Sequence, residues 1–331
     1  MKSYGTANVN TGRPLTPDDY FRLASITKTF TGTAILQLID RGRLSLEDPI
    51  DKFVPGLPYG EQITIRHLLE MRSGVYDWSL DPDFVRRYKA HPLVRGFGPA
   101  DALKIILRNP DMAKPPGQET EYNNANYTLL GLVLEKVTGR AAGDVITNRV
   151  IRPLGLGHTS FPVTPALPEP FVRGYLLGEP GFVDVTRSSV DATWTAGNMI
   201  SNVPDLVKYT RALGRGALLS PQTQAQRLQF HPFPLPPGAP FAGYGLGIMK
   251  IGDWIGHGGD IFGYSNDAWY LPSADATITV TVNKGSIDAR GTANIWTVIA
   301  EHLYPGSISG APAGFRRLRY LEAPAHRSAG S

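Results

Sequence analysis

An α+β fold, with an antiparallel sheet interrupted in sequence by a helix-rich insertion, is what this 331-residue chain predicts. Three observations carry the prediction. Apolar residues recur at helical spacing from residue 24 into the middle of the chain. In the last third the spacing changes to period two. The strands there follow one another through short turns, which suits antiparallel pairing and leaves no room for parallel crossovers. The length fits two domains, or one large one with an insertion. The expected layout is a discontinuous sheet domain over residues 1–56 and 190–305, a helix-rich domain over 57–189, and a flexible tail over 306–331.

Taken in order, Tyr4 to Val9 reads as a short strand and Asn10-Thr11-Gly12 as a turn. After Ala24, the segment SITKTFTGTAILQLIDRG sets Ile26, Phe30, Ala34, Ile35 and Leu38 at helical spacing. Ser25 stands where an N-cap would, and Gly42 is a natural stop. Short helices are predicted over Ile65 to Met71, Ala100 to Leu107 and Asn126 to Val137, the last ended by Gly139. The proline-rich passage from Phe161 to Pro170 reads as a surface loop. Strands are predicted over Tyr244 to Ile251, Trp254 to Gly256, Ser265 to Leu271 and Ala276 to Asn283. The clearest holds Thr277 to Val282, where threonine alternates with apolar residues as on a half-buried strand. A closing helix from Ala289 to Tyr304 would place Ile295, Trp296, Ile299 and Leu303 on one face. Beyond Pro305, glycine, serine, alanine and proline predominate, as in a frayed terminus.

Composition excludes several chemistries. With no cysteine there is no disulfide framework, thiol nucleophile, Cys-ligated zinc or iron–sulfur cluster. The formal net charge is +4, but the basic residues are scattered and the cluster Arg316, Arg317 and Arg319 reads as a solvated tail; no nucleic-acid partner is expected. No apolar run reaches membrane-spanning length, and MKSYGTANVN lacks the apolar core of a signal peptide. As written, the chain is expected to be cytoplasmic. It has no G-x-x-x-x-G-K-[ST] loop, H-E-x-x-H helix or G-x-S-x-G elbow. Gly243-Tyr244-Gly245-Leu246-Gly247 has the wrong spacing for a dinucleotide loop. No cofactor and no metal are expected.

Three elements remain. In Ser25-Ile26-Thr27-Lys28 a lysine lies one helical turn from a serine, and this is the only S-x-x-K in the chain. A serine hydroxyl becomes a nucleophile when a neighbouring base takes its proton, and a lysine amine serves if burial lowers its pKa. A capping serine beside a surface lysine gives the same pattern. Tyr122-Asn123-Asn124 precedes the helix NYTLLGLVLEKVTG; the tyrosine can relay a proton and an asparagine amide can position lysine and substrate, or the group simply caps the helix. A second Tyr-x-Asn at Tyr264 reads as a strand entry. Gly256-His257-Gly258-Gly259-Asp260 lies between predicted strands, where a backbone rich in glycine admits a ligand to the strand edge. Its amides can complete an oxyanion hole with the Ser25 N–H, and His257 can give a proton or a hydrogen bond. It reads also as a glycine-rich turn.

In this order the three elements resemble those of the serine β-lactamases and penicillin-binding enzymes, in the branch of class C β-lactamases, DD-carboxypeptidases and related esterases. The resemblance covers most of the chain, through FRLASITKTFTG, GRLSLEDPIDKFVPGLP, ITIRHLLEMRSGVYDW, EYNNANYTLLGLVLEKVTG, TAGNMISNVPDLVKY and GYGLGIMKI. It implies a β-lactamase/transpeptidase-like fold in which Ser25 attacks a carbonyl to form an acyl-enzyme. Lys28 and Tyr122 would share the general-base role, and Asn124 would orient Lys28 and a substrate amide. His257 stands where many relatives carry the lysine of a Lys-Thr-Gly motif. The N–H groups of Ser25 and Asp260 would form the oxyanion hole, with Gly258 and Gly259 beside the substrate and Trp194 in the acyl pocket or the core.

Two departures bear on substrate and start. Carboxypeptidases of this branch grip a terminal carboxylate with a hydroxyl residue in the third motif and an arginine after the GLG strand; here those places hold Gly258 and Met249. The leading expectation is therefore an esterase, amidase or β-lactamase-like hydrolase of small acyl substrates. A D-alanyl-D-alanine carboxypeptidase or D-amino-peptide hydrolase, a penicillin-binding-type peptide cyclase and a non-turnover β-lactam sensor are the alternatives. β-Lactams are possible ligands in each. Relatives carry an N-terminal helix and strand ahead of the segment matching YGTANVNTG; a truncated start would make the protein secreted or periplasmic.

Overall fold

The computed structural model describes residues 1–178, 181–189, 191–235, 241–285 and 291–308. The start folds as a ribbon of β1 (Thr6–Asn8) and β2 (Arg13–Pro14) around the Asn10-Thr11-Gly12 turn. Strand β3 (Phe21–Arg22) leads into a 3₁₀ turn, Ala24–Ile26, and then helix α1 (Thr27–Asp40). Ser25 does not cap this helix: the N-cap is Ile26, without a side-chain bond, and Ser25 belongs to the preceding turn. Every residue of α1 from Thr27 to Leu38 is buried. It is a central helix covered all round, so its one-sided apolar stripe understates its burial.

Helices α2 (Ile65–Leu69), α3 (Pro82–Phe84), α4 (Pro99–Arg108), α5 (Asn124–Thr138) and α6 (Ala142–Ile146) follow. Asn123 starts α5 by accepting the Ala125 N–H at 2.7 Å, and Gly139, at φ 67°, ends it in the left-handed region. Helix α5 lies against α1, α2 and α4, which fixes its first turn over the start of α1. Strands β4 (Tyr175–Gly178) and β5 (Gly181–Asp184) pair with each other. Helix α7 (Trp194–Gly197) and strand β6 (Ile200–Ser201) come next, and β6 pairs back onto β3. Helices α8 (Val203–Gly214) and α9 (Pro221–Arg227) lead into the sheet.

The sheet contains β7 (His231–Pro232), β8 (Ala242–Tyr244), β9 (Met249–Ile251), β10 (Trp254–Ile261), β11 (Tyr264–Leu271) and β12 (Ala276–Val282). All neighbours are antiparallel and the order is β12-β11-β10-β9-β8-β7. The strand expected from Tyr244 to Ile251 is in fact two. The chain turns at Gly245 to Ile248, where a Cβ on Gly247 would stand 3.1 Å from the Cα of Gly32 in α1. Helix α10 (Gly291–Leu303) closes the fold; the predicted start at Ala289 lies outside the described residues.

Helices cover both faces of β11. Trp269 meets Trp296 of α10 at 5.2 Å between rings, while a Cβ on Gly214 of α8 would strike Tyr270. The register places Ile278 opposite Trp269 and Thr277 opposite Tyr270, so the threonines of β12 face α8 rather than bulk water. The predicted stripe on α10 is also corrected. Thr292, Trp296 and Ala300 are buried, whereas Ile295 and Leu303 are exposed by 44% and 57%. The tail expected to fray from residue 306 is tied down at first: Ser307 accepts the Asp253 N–H through its carbonyl and the Trp254 indole N–H through its hydroxyl.

Candidate active site

The 3₁₀ turn that carries Ser25 is strained. Ala24 sits at φ 51°, a left-handed conformation that costs a non-glycine residue about 1–2 kcal/mol. The turn lifts Ser25 to a half-buried position and leaves Lys28, one turn on, fully buried. The Lys28 amine lies 3.0 Å from Ser25 Oγ, 2.8 Å from Asn124 Oδ1 and 2.9 Å from the Ala196 carbonyl. Burial pulls its pKa down to about 7, against the opposing field of Asp77. A neutral amine has two N–H donors and one lone pair. The two carbonyl oxygens accept the N–H groups, and the lone pair is left for the Ser25 hydroxyl.

Asn124 is itself held. Its Nδ2 donates to Ser79 Oγ at 3.0 Å, so its oxygen faces Lys28. Ser79 in turn donates to Asp77 Oδ1 at 2.9 Å, and Asp77 Oδ2 accepts the Asn124 N–H at 3.1 Å. Asp77 is buried and its pKa is raised by that burial. Asp77, Ser79 and the Ala196 carbonyl are absent from the sequence-based site. The available signal was Asp77-Trp78-Ser79, the pattern of a side chain bonding the backbone two residues on.

Tyr122 places its ring 4.9 Å from the Lys28 amine, 6.0 Å from the His257 ring and 6.2 Å from that of Tyr244. His257 is buried, with Nε2 3.0 Å from Tyr244 Oη and Nδ1 beside the Gly258 carbonyl. Burial first, and the charge of Lys28 second, push its pKa down to about 3. The neutral ring is placed to hydrogen-bond the Tyr244 hydroxyl and the Gly258 carbonyl. On the same strand, a Cβ at Gly259 would stand 2.5 Å from the Leu23 carbonyl and 3.0 Å from the Ser25 nitrogen. The missing side chain lets β10 press against the serine turn, and half-buried Gly258 and Asp260 flank that contact. Trp194, at φ 34°, packs its ring over Gly131, two turns along α5 from Asn124. Tyr264 donates its hydroxyl to the Val172 carbonyl at 2.8 Å, away from these groups.

A serine on a strained turn, a buried amine bonded to it and an amide that orients the amine suit the serine hydrolases that work through an acyl-enzyme. The chain belongs to the β-lactamase family, whose model matches residues 1–301. It is similar to the crystal structure of a D-stereospecific amidohydrolase from Streptomyces sp., with 33% identity, 87% of each chain covered and a TM-score of 0.77. It is also similar to D-amino acid amidase from Ochrobactrum anthropi SV3, with 25% identity, 90% of this chain and 89% of that one covered, and a TM-score of 0.79. Among curated proteins it is 37% identical over 168 residues to Protein flp of Staphylococcus aureus (strain N315). That match takes in 49% of this chain and 32% of flp, so it spans about a third of the relative's length.

Proposed function

We propose that this protein hydrolyses neutral amides and esters through an acyl-enzyme on Ser25, and that amides of D-amino acids are its substrate class. The observation that carries the reaction type is the Lys28 amine, buried at 3.0 Å from Ser25 Oγ, 2.8 Å from Asn124 Oδ1 and 2.9 Å from the Ala196 carbonyl. In the first step Ser25 Oγ bonds to the substrate carbonyl carbon as its proton passes to Lys28 Nζ, with Tyr122 alongside. The carbonyl oxygen becomes an oxyanion held between the Ser25 N–H and the β10 backbone at Asp260. The carbon–nitrogen or carbon–oxygen bond then breaks and the proton leaves with the amine or alcohol. Water repeats the sequence against the acyl-enzyme and frees the acid.

Two considerations support the substrate class. Met249 and Gly258 replace the groups that would grip a terminal carboxylate, and His257 is neutral, which favours substrates without that charge. The two structural relatives described above are named for action on D-amino acid amides and D-stereospecific amide hydrolysis. A panel of D- and L-phenylalanine amide, a p-nitrophenyl ester, a chromogenic cephalosporin and a D-Ala-D-Ala peptide tests the proposal. The D-amide and the ester should turn over and Ser25→Ala should abolish both. Turnover of the D-Ala-D-Ala peptide alone would overturn the substrate class, and undiminished activity in Ser25→Ala would overturn the mechanism.

A further inference from the structure

At the end of α1 remote from Ser25 there is a second concavity. Asp40 is twelve residues beyond Lys28, about 18 Å along the helix. Here an open cleft of about 760 Å³ is lined by Arg41, Arg43, Arg140 and Arg149. Arg41 and Arg43 follow α1, Arg140 follows α5, and Arg149 lies in the turn Thr147–Ile151 after α6. Val145, Leu218 and Leu219 supply apolar wall.

The charge in this cleft is not balanced from within. Asp40 is its one lining carboxylate, and it already accepts hydrogen bonds from Ser220 and Thr223. Those bonds outweigh its burial and hold its pKa below the ordinary value. The C-termini of α1 and α5 each add about half a negative charge, and Arg43 donates to the Val137 carbonyl at one of them. Four guanidinium groups against one carboxylate and two helix ends leave a surplus of about +2. Arg149 shows the consequence. Its Nη1 is buried and has no hydrogen-bond partner among the described residues, while its backbone carbonyl is fixed by Gln37 at 2.9 Å. Its pKa is lowered by burial and then by the charges of Arg41 and Arg43. An anion in the cleft would offset the mutual repulsion of these guanidinium groups.

We propose that this cleft binds the phosphate group of a small molecule, with the guanidinium groups of Arg41, Arg140 and Arg149 that line it closing around the charge. A phosphate dianion matches the surplus, and its several acceptor oxygens suit converging guanidinium forks. The apolar wall would take the organic part. The site is independent of the acyl-enzyme reading, since it shares no residue with it.

Calorimetric titration of the full chain with pyrophosphate at low salt tests the site. The expected dissociation constant is below about 1 mM. It should weaken about tenfold in Arg149→Gln and further in the pair Arg41→Gln/Arg149→Gln, with ester hydrolysis retained as proof of folding. Cosedimentation with phosphatidylglycerol vesicles distinguishes sources: capture lost in Arg149→Gln assigns the phosphate to a lipid headgroup, and no capture assigns it to a soluble molecule. Absence of binding in both arms, or binding unchanged in the paired variant, would overturn the proposal.

Discussion

Lys28 is flanked by three acceptors, and its protonation state decides what they do. As an ammonium it spends all three N–H groups on Ser25 Oγ, Asn124 Oδ1 and the Ala196 carbonyl, and it cannot act as a base. As a neutral amine it keeps the two carbonyl bonds and can take the serine proton. With the pKa near 7, the neutral fraction falls about tenfold per pH unit below that value. A profile of kcat/KM on a p-nitrophenyl ester should therefore climb with pH to about 7 and level off; a flat profile across this range would remove Lys28 as the base. Asp77 opposes the drop in the Lys28 pKa, so Asp77→Asn should move the rising limb to lower pH while reducing kcat, because Asn124 loses a support. A purely structural role would lower kcat and leave the limb in place. Ser25 and Lys28 were legible because residues three apart meet within one turn. Asp77 was not, because its bond to the Asn124 N–H spans 47 positions and exists only once α5 lies over the start of α1.

At the scale of elements, Ser25, the proposed nucleophile, depends on how closely β10 approaches the turn that carries it. Gly259 makes that approach possible: a methyl group there would overlap the Leu23 carbonyl and crowd the Ser25 nitrogen. Both neighbours are backbone and cannot swing aside, so Gly259→Ala must push strand and turn apart. Loss of one oxyanion donor costs about 10²–10³ in kcat, and a displaced strand should produce a loss of that order. Thermal unfolding should shift much less, since the sheet pairing on either side is intact. A kcat within about threefold of wild type would refute this account of the contact. The strands themselves were largely readable from alternation, yet alternation reports two faces without saying what lies on each. On β12 the threonine face meets α8, so a pattern that suggests water is covered by a helix. Between Tyr244 and Ile251 the local signal of the turn was Gly245 and Gly247, the latter at φ 75°, while its place is set by the contact of Gly247 with Gly32.

For the whole molecule, the buried titratable groups set how stability responds to pH. Lys28 has a folded pKa of about 7 against an ordinary value of 10.5. Between those values the unfolded chain binds the proton and the folded chain does not, so this group adds stability as pH rises from 7 to 10.5. Asp267 acts in the opposite sense and in another window. It is buried beneath α10, with Oδ1 accepting the Trp269 indole N–H at 2.9 Å and the buried Thr292 side chain also beside the carboxylate. Burial raises its pKa from 3.8 to about 7. Below 3.8 both states are protonated and the group is neutral in its effect. From 3.8 to 7 only the folded state keeps the proton, so stability falls as pH rises. The accumulated loss is on the order of 4 kcal/mol at most, from a shift of about three pKa units. Asp267→Asn keeps an oxygen for Trp269 and cannot ionise. Urea unfolding of both proteins at a series of pH values should give a difference, variant minus wild type, that grows in favour of the variant between pH 4 and 7 and is constant above. The change at α10 from losing the acid is the same at every pH, so the slope isolates the titration. A difference independent of pH would mean that Asp267 is ionised in the folded protein.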